Sequence, residues 1–219
     1  MLISIGRYQK YSKIMWGICM DNKALFNIGY GLYVVTAKDG DRSNGCIINT
    51  VMQVTSSPLL IAVGVNKQNY THDLIIKNRE FNISILTQDT PFEVFKHFGF
   101  QSGKLIDKLS DYEEKSMGEN GLFYLTKYTN AYLSCKLLDV IDFGTHSLFK
   151  AEVIDAKVIN EEDAVTYTYY HKNIKPKPEQ QSKKGWRCNI CGYVHEGEDL
   201  PSDFVCPLCK HGASDFTEI

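Results

Sequence analysis

At 219 residues the chain is long enough for one domain of ordinary size plus a small appended module. Its 43% hydrophobic and 23% charged residues exclude disorder of the whole chain, and a formal charge of -2 with no long basic run argues against nucleic acid as a partner. No stretch approaches the ~18 uninterrupted apolar residues that span a bilayer, and the N-terminus lacks a secretory apolar region, so a cytoplasmic protein with no membrane partner is expected.

Residues 1–19 show no sustained period and read as an N-terminal extension. Asp21 is placed to cap a short helix with Ala24, Leu25 and Ile28 on one face, ended by Gly29. Gly31-Leu-Tyr-Val-Val-Thr-Ala37 is β-branched and aromatic, and the turn formers from Lys38 to Gly45 predict a hairpin loop after it. Cys46 to Val54, Leu59 to Asn66 and Phe81 to Leu86 read as further strands, with Thr71 to Lys77 as a helical connection. Thr90-Pro91 with Glu93 has the form of a capping box opening a second helix.

Phe123 to Leu125, Ala131 to Phe143 and Ser147 to Val158 are β-prone, the last two joined by Gly144-Thr-His146. Strands reached through hairpins predict a closed antiparallel barrel with inserted helices, because closure removes unpaired edges. The polar, proline-containing segment after His171 predicts a semi-extended linker over residues 174–184.

Four of the seven cysteines follow, as Trp186-Arg-Cys188-Asn-Ile-Cys191-Gly-Tyr193 and Phe204-Val-Cys206-Pro-Leu-Cys209, a C-x2-C-x14-C-x2-C pattern. In a reducing compartment such pairs bind metal instead of cross-linking. Each pair sets two thiolates on a tight turn, and two facing turns make a tetrahedral cage, which by spacing alone suits a structural zinc ribbon as well as iron. Trp186, Tyr193, Phe204 and Phe216 add an apolar shell that keeps water from the metal. With Cys-x-x-Cys-Gly-Tyr, Glu196-Gly-Glu-Asp199, Pro201-x-Asp203-Phe-Val and Cys-Pro-x-Cys, residues 185–219 resemble the rubredoxin family. The resemblance implies one iron, cycling between ferric and ferrous, on Cys188, Cys191, Cys206 and Cys209. Lys210 stands where that family usually has glycine, and the spacer is shorter than in free-standing rubredoxins. A left-handed lysine would cost roughly 1–2 kcal/mol.

The upstream chain has no Gly-x-Gly-x-x-Gly turn between a strand and a helix, so a Rossmann dinucleotide site is not supported. Tyr33-Val-Val-Thr-Ala-x-Asp-Gly, the run from Asn44 to Pro58, Val65-Asn-Lys67, Thr71-His-Asp, Phe98-Gly-Phe-Gln-Ser-Gly-Lys104 with Asp107-Lys108, and Gly144-Thr-His146 resemble the flavin reductase-like, FMN-binding split-barrel family. This covers residues 20–173 and makes the whole chain similar to the high-molecular-weight rubredoxin family. The site it implies for FMN comprises Asn44, Ile47, Asn49, Thr50, Gln53, Asn66, Lys67, Thr71 and His72, with Asn66 to His72 at a strand end and helix start suited to phosphate. Without the resemblance, Asn44-Gly45 is a hairpin turn, Gln53 a strand residue facing water and Lys67 a solvated charge.

His146 matches the family histidine beside the flavin, where it would orient a hydride donor or move a proton as a catalytic residue. His171, His195 and His211 read as surface groups and Cys46 as a small buried hydrophobe. The resemblance implies electrons entering from NADH or NADPH, passing from FMN to iron and leaving for a redox-protein acceptor, for which an oxygen- or nitric-oxide-reducing flavodiiron protein is the expected candidate, in a homodimer. The alternatives are a zinc-ribbon tail that recruits a partner to a flavin-binding domain, and a relay reduced by another redox protein.

Overall fold

The computed structural model of the chain describes residues 21–176 and 185–219. The expected N-terminal extension and residues 177–184 of the expected linker lie outside the described residues. After Asp21 comes a short 3₁₀ turn, Asn22–Asn27, and the expected apolar face is open to solvent, with Leu25 58% and Ile28 49% exposed.

The strands are β1 (Tyr33–Asp39), β2 (Arg42–Ile48), β3 (Thr50–Ser56), β4 (Leu59–Asn66), β5 (Glu80–Leu86), β6 (Lys115–Met117), β7 (Phe123–Leu125), β8 (Thr129–Asp142) and β9 (His146–Val158). All except β6 and β7 form one antiparallel sheet of seven strands, ordered β2-β1-β5-β8-β9-β4-β3. Helix α1 (Tyr70–Asn78) links β4 to β5, and α2 (Phe92–Gly99) follows β5. A helical turn over residues 167–174 closes this part of the chain.

Three local expectations are corrected. The hairpin after β1 is tighter than the turn formers suggest: Asp39 pairs with Arg42, so only Gly40 and Asp41 turn, with Gly40 at φ 57° in the left-handed region such a turn needs. The strand expected from Cys46 to Val54 breaks at Asn49, where the chain passes from one edge of the sheet to the other. The capping box does not form, because Pro91 is the N-cap of α2 and the Thr90 hydroxyl donates to the Thr87 carbonyl at 2.7 Å instead.

The barrel also closes differently from a continuous ladder. Its edge strands β2 and β3 are joined covalently by Asn49, and no ladder pairing joins them among the described residues.

Two apolar clusters lie on either side of β1 and β5, which accounts for their near-continuous burial. Val35, Ile83, Phe81 and Phe149 fill the barrel, whereas Val34 and Leu86 face Phe95 and Phe98 of α2. The buried polar groups on these strands are used to dock the β6–β7 hairpin: Thr36 donates to the Phe123 carbonyl, Asn82 donates to the Leu122 carbonyl at 2.9 Å, and Ser84 Oγ accepts from the Leu125 amide at 2.9 Å.

The C-terminal module has its own three-stranded sheet, β11-β10-β12, from β10 (Gly185–Cys188), β11 (Val194–Glu196) and β12 (Phe216–Glu218). Its core packs Cys188, Cys206 and Phe216 with Trp186, Tyr193 and Phe204, the aromatic shell expected from the sequence. Phe204 meets Phe216 edge-on at 5.3 Å. No helix among the described residues is long and apolar enough to cross a membrane.

Phe149 is fully buried, with its ring 6.4 Å from Phe81 and 5.4 Å from His72. Phe149→Ala is expected to remove ~3–5 kcal/mol of stability, read as a lower midpoint in urea unfolding.

Candidate functional site

Two cavities share Gln68, Asn69, Gly99, Leu208 and Lys210 in their walls. The first, about 350 Å³, is bounded by Asn44 and Cys46 of β2, by Tyr70 and Thr71 at the start of α1, by Gln101, Ser102 and Gly103, and by Lys108. The second, about 460 Å³, is bounded by residues 47–50, Gly64, Asn66, His146 and Tyr167. These volumes lie in the range of small-molecule and cofactor sites.

The topology explains the gathering. Asn49 is the crossing between the sheet edges, β4 delivers Asn66 opposite His146 in the β4–β9 register, and the chain then turns directly into α1. At that turn the Gln68 amide donates to Asn66 Oδ1 at 2.8 Å and the His72 amide to the Asn69 carbonyl at 2.9 Å. Tyr70 and Thr71, the first residues of α1, line the first cavity, and amides at a helix start precede the intrahelical ladder, an environment an anion prefers.

Of the residues expected to hold a flavin, Asn44, Ile47, Asn49, Thr50, Asn66 and Thr71 line these cavities. Asn44 does so with its amide committed: Nδ2 donates to the carbonyls of Gly103 (3.1 Å) and Ile106 (3.2 Å), and Oδ1 accepts from the Gly45 amide. It is a strand residue that ties down the 103–106 loop, not a hairpin turn.

Three residues are placed elsewhere. Lys67 Nζ pairs with Asp142 Oδ1 at 2.5 Å on the β8–β9 hairpin, which also holds the Asp142 carboxyl below its usual range. His72 turns its ring into the barrel, stacked on Phe149, with Nε2 against Ser147 Oγ at 2.9 Å and Nδ1 against Asp73 Oδ1 at 3.2 Å. Gln53 lies on the exposed face of β3, between Met52 and Val54, and lines neither cavity.

His146 lines the second cavity, with Nδ1 and the Thr145 hydroxyl 2.9 Å apart, and partial burial lowers its pKa from the ordinary histidine value. The expectations for the other histidines agree with their positions. His171 packs edge-on to Tyr167, His195 lies against Phe204, and His211 Nδ1 sits 3.1 Å from the Cys209 carbonyl oxygen.

Lys108 belongs to a motif that carries the family resemblance but was given no site role from the sequence. Only 3% exposed, it donates from Nζ to the carbonyls of Gly45 (3.0 Å) and Phe98 (2.8 Å) in the wall of the first cavity. Burial pushes this ammonium below the usual lysine range. An ammonium held by neutral carbonyls favours an anion in the adjoining space. Its signal in the sequence was the Asp107-Lys108 pair, which carries no period or spacing of its own. Cys46, beside it, is buried and its thiol is pushed up by desolvation, as a small core residue requires.

In the C-terminal module the Sγ atoms of Cys188, Cys191, Cys206 and Cys209 all lie within 4.8 Å of one another, with Cys188 to Cys209 and Cys191 to Cys206 at 3.5 Å. A tetrahedron with metal–sulfur bonds of ~2.3 Å has edges of roughly 3.8 Å, so four thiolates so placed fit one tetrahedral metal ion. The two turns match: the Gly192 amide donates to the Cys188 carbonyl at 2.9 Å and the Lys210 amide to the Cys206 carbonyl at 3.0 Å. Gly192 at φ 80° and Lys210 at φ 63° take the same left-handed place, as expected for Lys210.

Backbone amides also reach sulfur. Burial raises the Cys191 and Cys209 thiols, opposed by the amides of Tyr193 and His211 respectively. At Cys206 burial raises the pKa as well, but the amides of Cys209 and Leu208 and the neighbouring Cys191 and Cys209 thiols together outweigh it and the thiol falls below its usual value. Amides aimed at sulfur favour the thiolate that binds metal.

The Flavin reductase like domain family matches residues 25–177, and the Rubrerythrin, rubredoxin-like domain family matches residues 186–217. The High molecular weight rubredoxin of Moorella thermoacetica is 40% identical over 230 residues, covering 91% of this chain and 100% of that protein. The Ferric-chelate reductase (NAD(P)H) of Archaeoglobus fulgidus is 39% identical over 158 residues, 72% of this chain and 93% of that protein. Among solved structures, the Streptomyces globisporus NADH:FAD oxidoreductase with NAD and FAD fragments superposes with a TM-score of 0.59 at 22% identity, covering 72% of this chain and 92% of that one. The FMN-binding protein from Thermus thermophilus gives 0.58 at 24%, covering 68% and 80%. At those identities the solved structures speak for the fold alone. The short spacer and Lys210 therefore depart from the free-standing pattern without removing the segment from the rubredoxin-like family, which implies iron.

Two variants test the site. Lys108→Met is expected to weaken flavin binding about tenfold or more, since a hydrogen bond to a charged group is worth ~1.5–3 kcal/mol; fluorescence titration of the flavin-free protein reads this. Lys210→Gly is expected to stabilise the module by ~1 kcal/mol, seen as a higher guanidinium midpoint for loss of the iron chromophore.

Proposed function

The chain belongs to the high molecular weight rubredoxins, a flavin reductase-like domain joined to a rubredoxin-like module, and from that premise we propose that it carries electrons from NADH or NADPH, through FMN, to iron held by Cys188, Cys191, Cys206 and Cys209, and on to a protein acceptor. The observation that carries the reading is that the second cysteine turn, through Leu208, Cys209 and Lys210, lines the same cavity as Asn49, Thr50, Asn66 and His146. A zinc ribbon serving only to recruit a partner gives no reason for its metal ligands to face a flavin cleft.

A bound flavin supplies the conversion of a two-electron hydride donor into single-electron delivery, which suits one iron. The chain's own residues do the positioning. The start of α1 and the Lys108 ammonium favour a single phosphate, the anionic end of FMN. Asn49, Thr50 and the backbone at Ile47 supply polar groups along the ring edge. Thr145 engages Nδ1 of His146, so Nε2 is the nitrogen turned to proton exchange, and partial burial lowers the ring's pKa.

Two further parts rest on support from outside the cavities. Met52, Val54, Ile141 and Phe143 are 51% to 63% exposed on β3 and at the β8–β9 end, apolar side chains that a homodimer would cover. Cys46 and Cys135 are buried free thiols, in keeping with a reducing cytoplasm. For the acceptor, a flavodiiron protein is favoured by family analogy.

The visible spectrum with metal and flavin analysis identifies both cofactors in one sample. Anaerobic mixing with NADH or NADPH is expected to bleach the flavin in the full chain and in a chain ending at residue 176, while only the full chain reduces the acceptor. Equal acceptor turnover by both chains would count against the relay, and bleaching only by a reduced redox protein would replace the nucleotide as donor.

A further inference from the structure

The C-terminal module meets the larger domain through its metal-bearing end. Cys188 and Cys206 are 1% and 0% exposed, packed toward Phe216, while Cys191 and Cys209 are half-buried on the side that faces the larger domain. The first cysteine turn is held there by Lys175, whose Nζ donates to the Cys191 carbonyl at 3.0 Å. Asn189 and Ile190 close a cavity with Tyr167, Thr168 and His171, and Gly192 and Tyr193 face Phe92 and Phe100 across another. Leu208 of the second turn borders both flavin-site cavities as well as the one at Phe100. Of the two cavities at His146, the one toward Asn49 and Asn66 is thus bounded by Leu208, Cys209 and Lys210, while the one toward Phe143 and Leu148 has no module residue in its wall.

We propose that both cysteine turns dock over the flavin cleft of their own chain, and that the docked second turn occupies the ground on the His146 side that a nicotinamide must enter. This rests on the function proposed above, in that His146 marks the nicotinamide's place. Nucleotide and iron module then exclude one another, and the module leaves for the cleft to be reduced and returns to be reduced in turn. The ligands nearest the larger domain, Cys191 and Cys209, are the exit of the cleft when the module is home.

Position is tested apart from activity. In the isotope-labelled full chain with ferric iron, amide resonances of Gln68 to Thr71 and Gly99 to Ser102 are expected to broaden relative to the zinc-substituted chain. Broadening confined to residues 185–219 overturns the docking. In mixed samples of labelled zinc chain and unlabelled iron chain these resonances are expected to stay sharp, and broadening there overturns the own-chain assignment.

Exclusion is tested with Lys175→Gln combined with Leu208→Gln, which removes the hydrogen bond on the first turn and the apolar side chain of the second without touching a thiolate. If the module is docked nine-tenths of the time, apparent nucleotide affinity is lowered about tenfold, so the variant is expected to be reduced about tenfold faster at low NADH or NADPH. An unchanged rate in a variant that has lost the broadening overturns exclusion. A parent chain that neither nucleotide reduces contradicts the donor reading, and with it exclusion, while the broadening still decides the docking.

Discussion

A seven-stranded sheet whose first and last strands are joined by one residue has to curl until its edges meet, and Asn49 imposes that constraint here. A flat sheet would hold β2 and β3 far apart, since neighbouring strands lie ~4.8 Å from one another. Because they are joined, the seam between them is narrow, unladdered and lined by backbone not engaged across it. The start of α1, the end of β4 and the beginning of β9 all arrive at this seam. The cleft is therefore a product of topology, and the side chains around it refine a space that the connectivity already requires.

Within that frame, polar groups divide by whether they serve the scaffold or the cavity. Asn44, Thr36, Asn82 and Ser84 are buried with their hydrogen bonds made to loops and hairpins, so they fix the cleft's walls. Lys108 differs because its charge is not cancelled by a carboxylate among its described contacts. The first class sets shape and the second sets the sign of the ligand.

Much of this was legible in the sequence, for reasons that differ by region. The two cysteine pairs, the aromatic shell and the left-handed position at Lys210 depend on short-range geometry, and each was found where expected. Strands β1, β4, β5, β8 and β9 follow from runs of β-branched residues whose burial tertiary contacts reinforce. Less legible was the competition between equivalent local choices. Lys67 and His72 sit at a strand end and a helix start that suit phosphate, yet Asp142 claims one and Ser147 with Phe149 the other. Those partners are 75 residues or more away in the chain, and no local pattern announces them. Lys108 escaped for the same reason: its burial is created by α2 and β2 together.

Lys210 carries a consequence for electron energetics as well as for backbone strain. A site of four thiolates becomes one charge more negative when its iron is reduced, so a cation near it would favour the reduced form. Glycine would form the same turn without strain but could contribute no charge. The left-handed lysine thus sets a positive charge one residue from Cys209, in the part of the module that borders the second cavity.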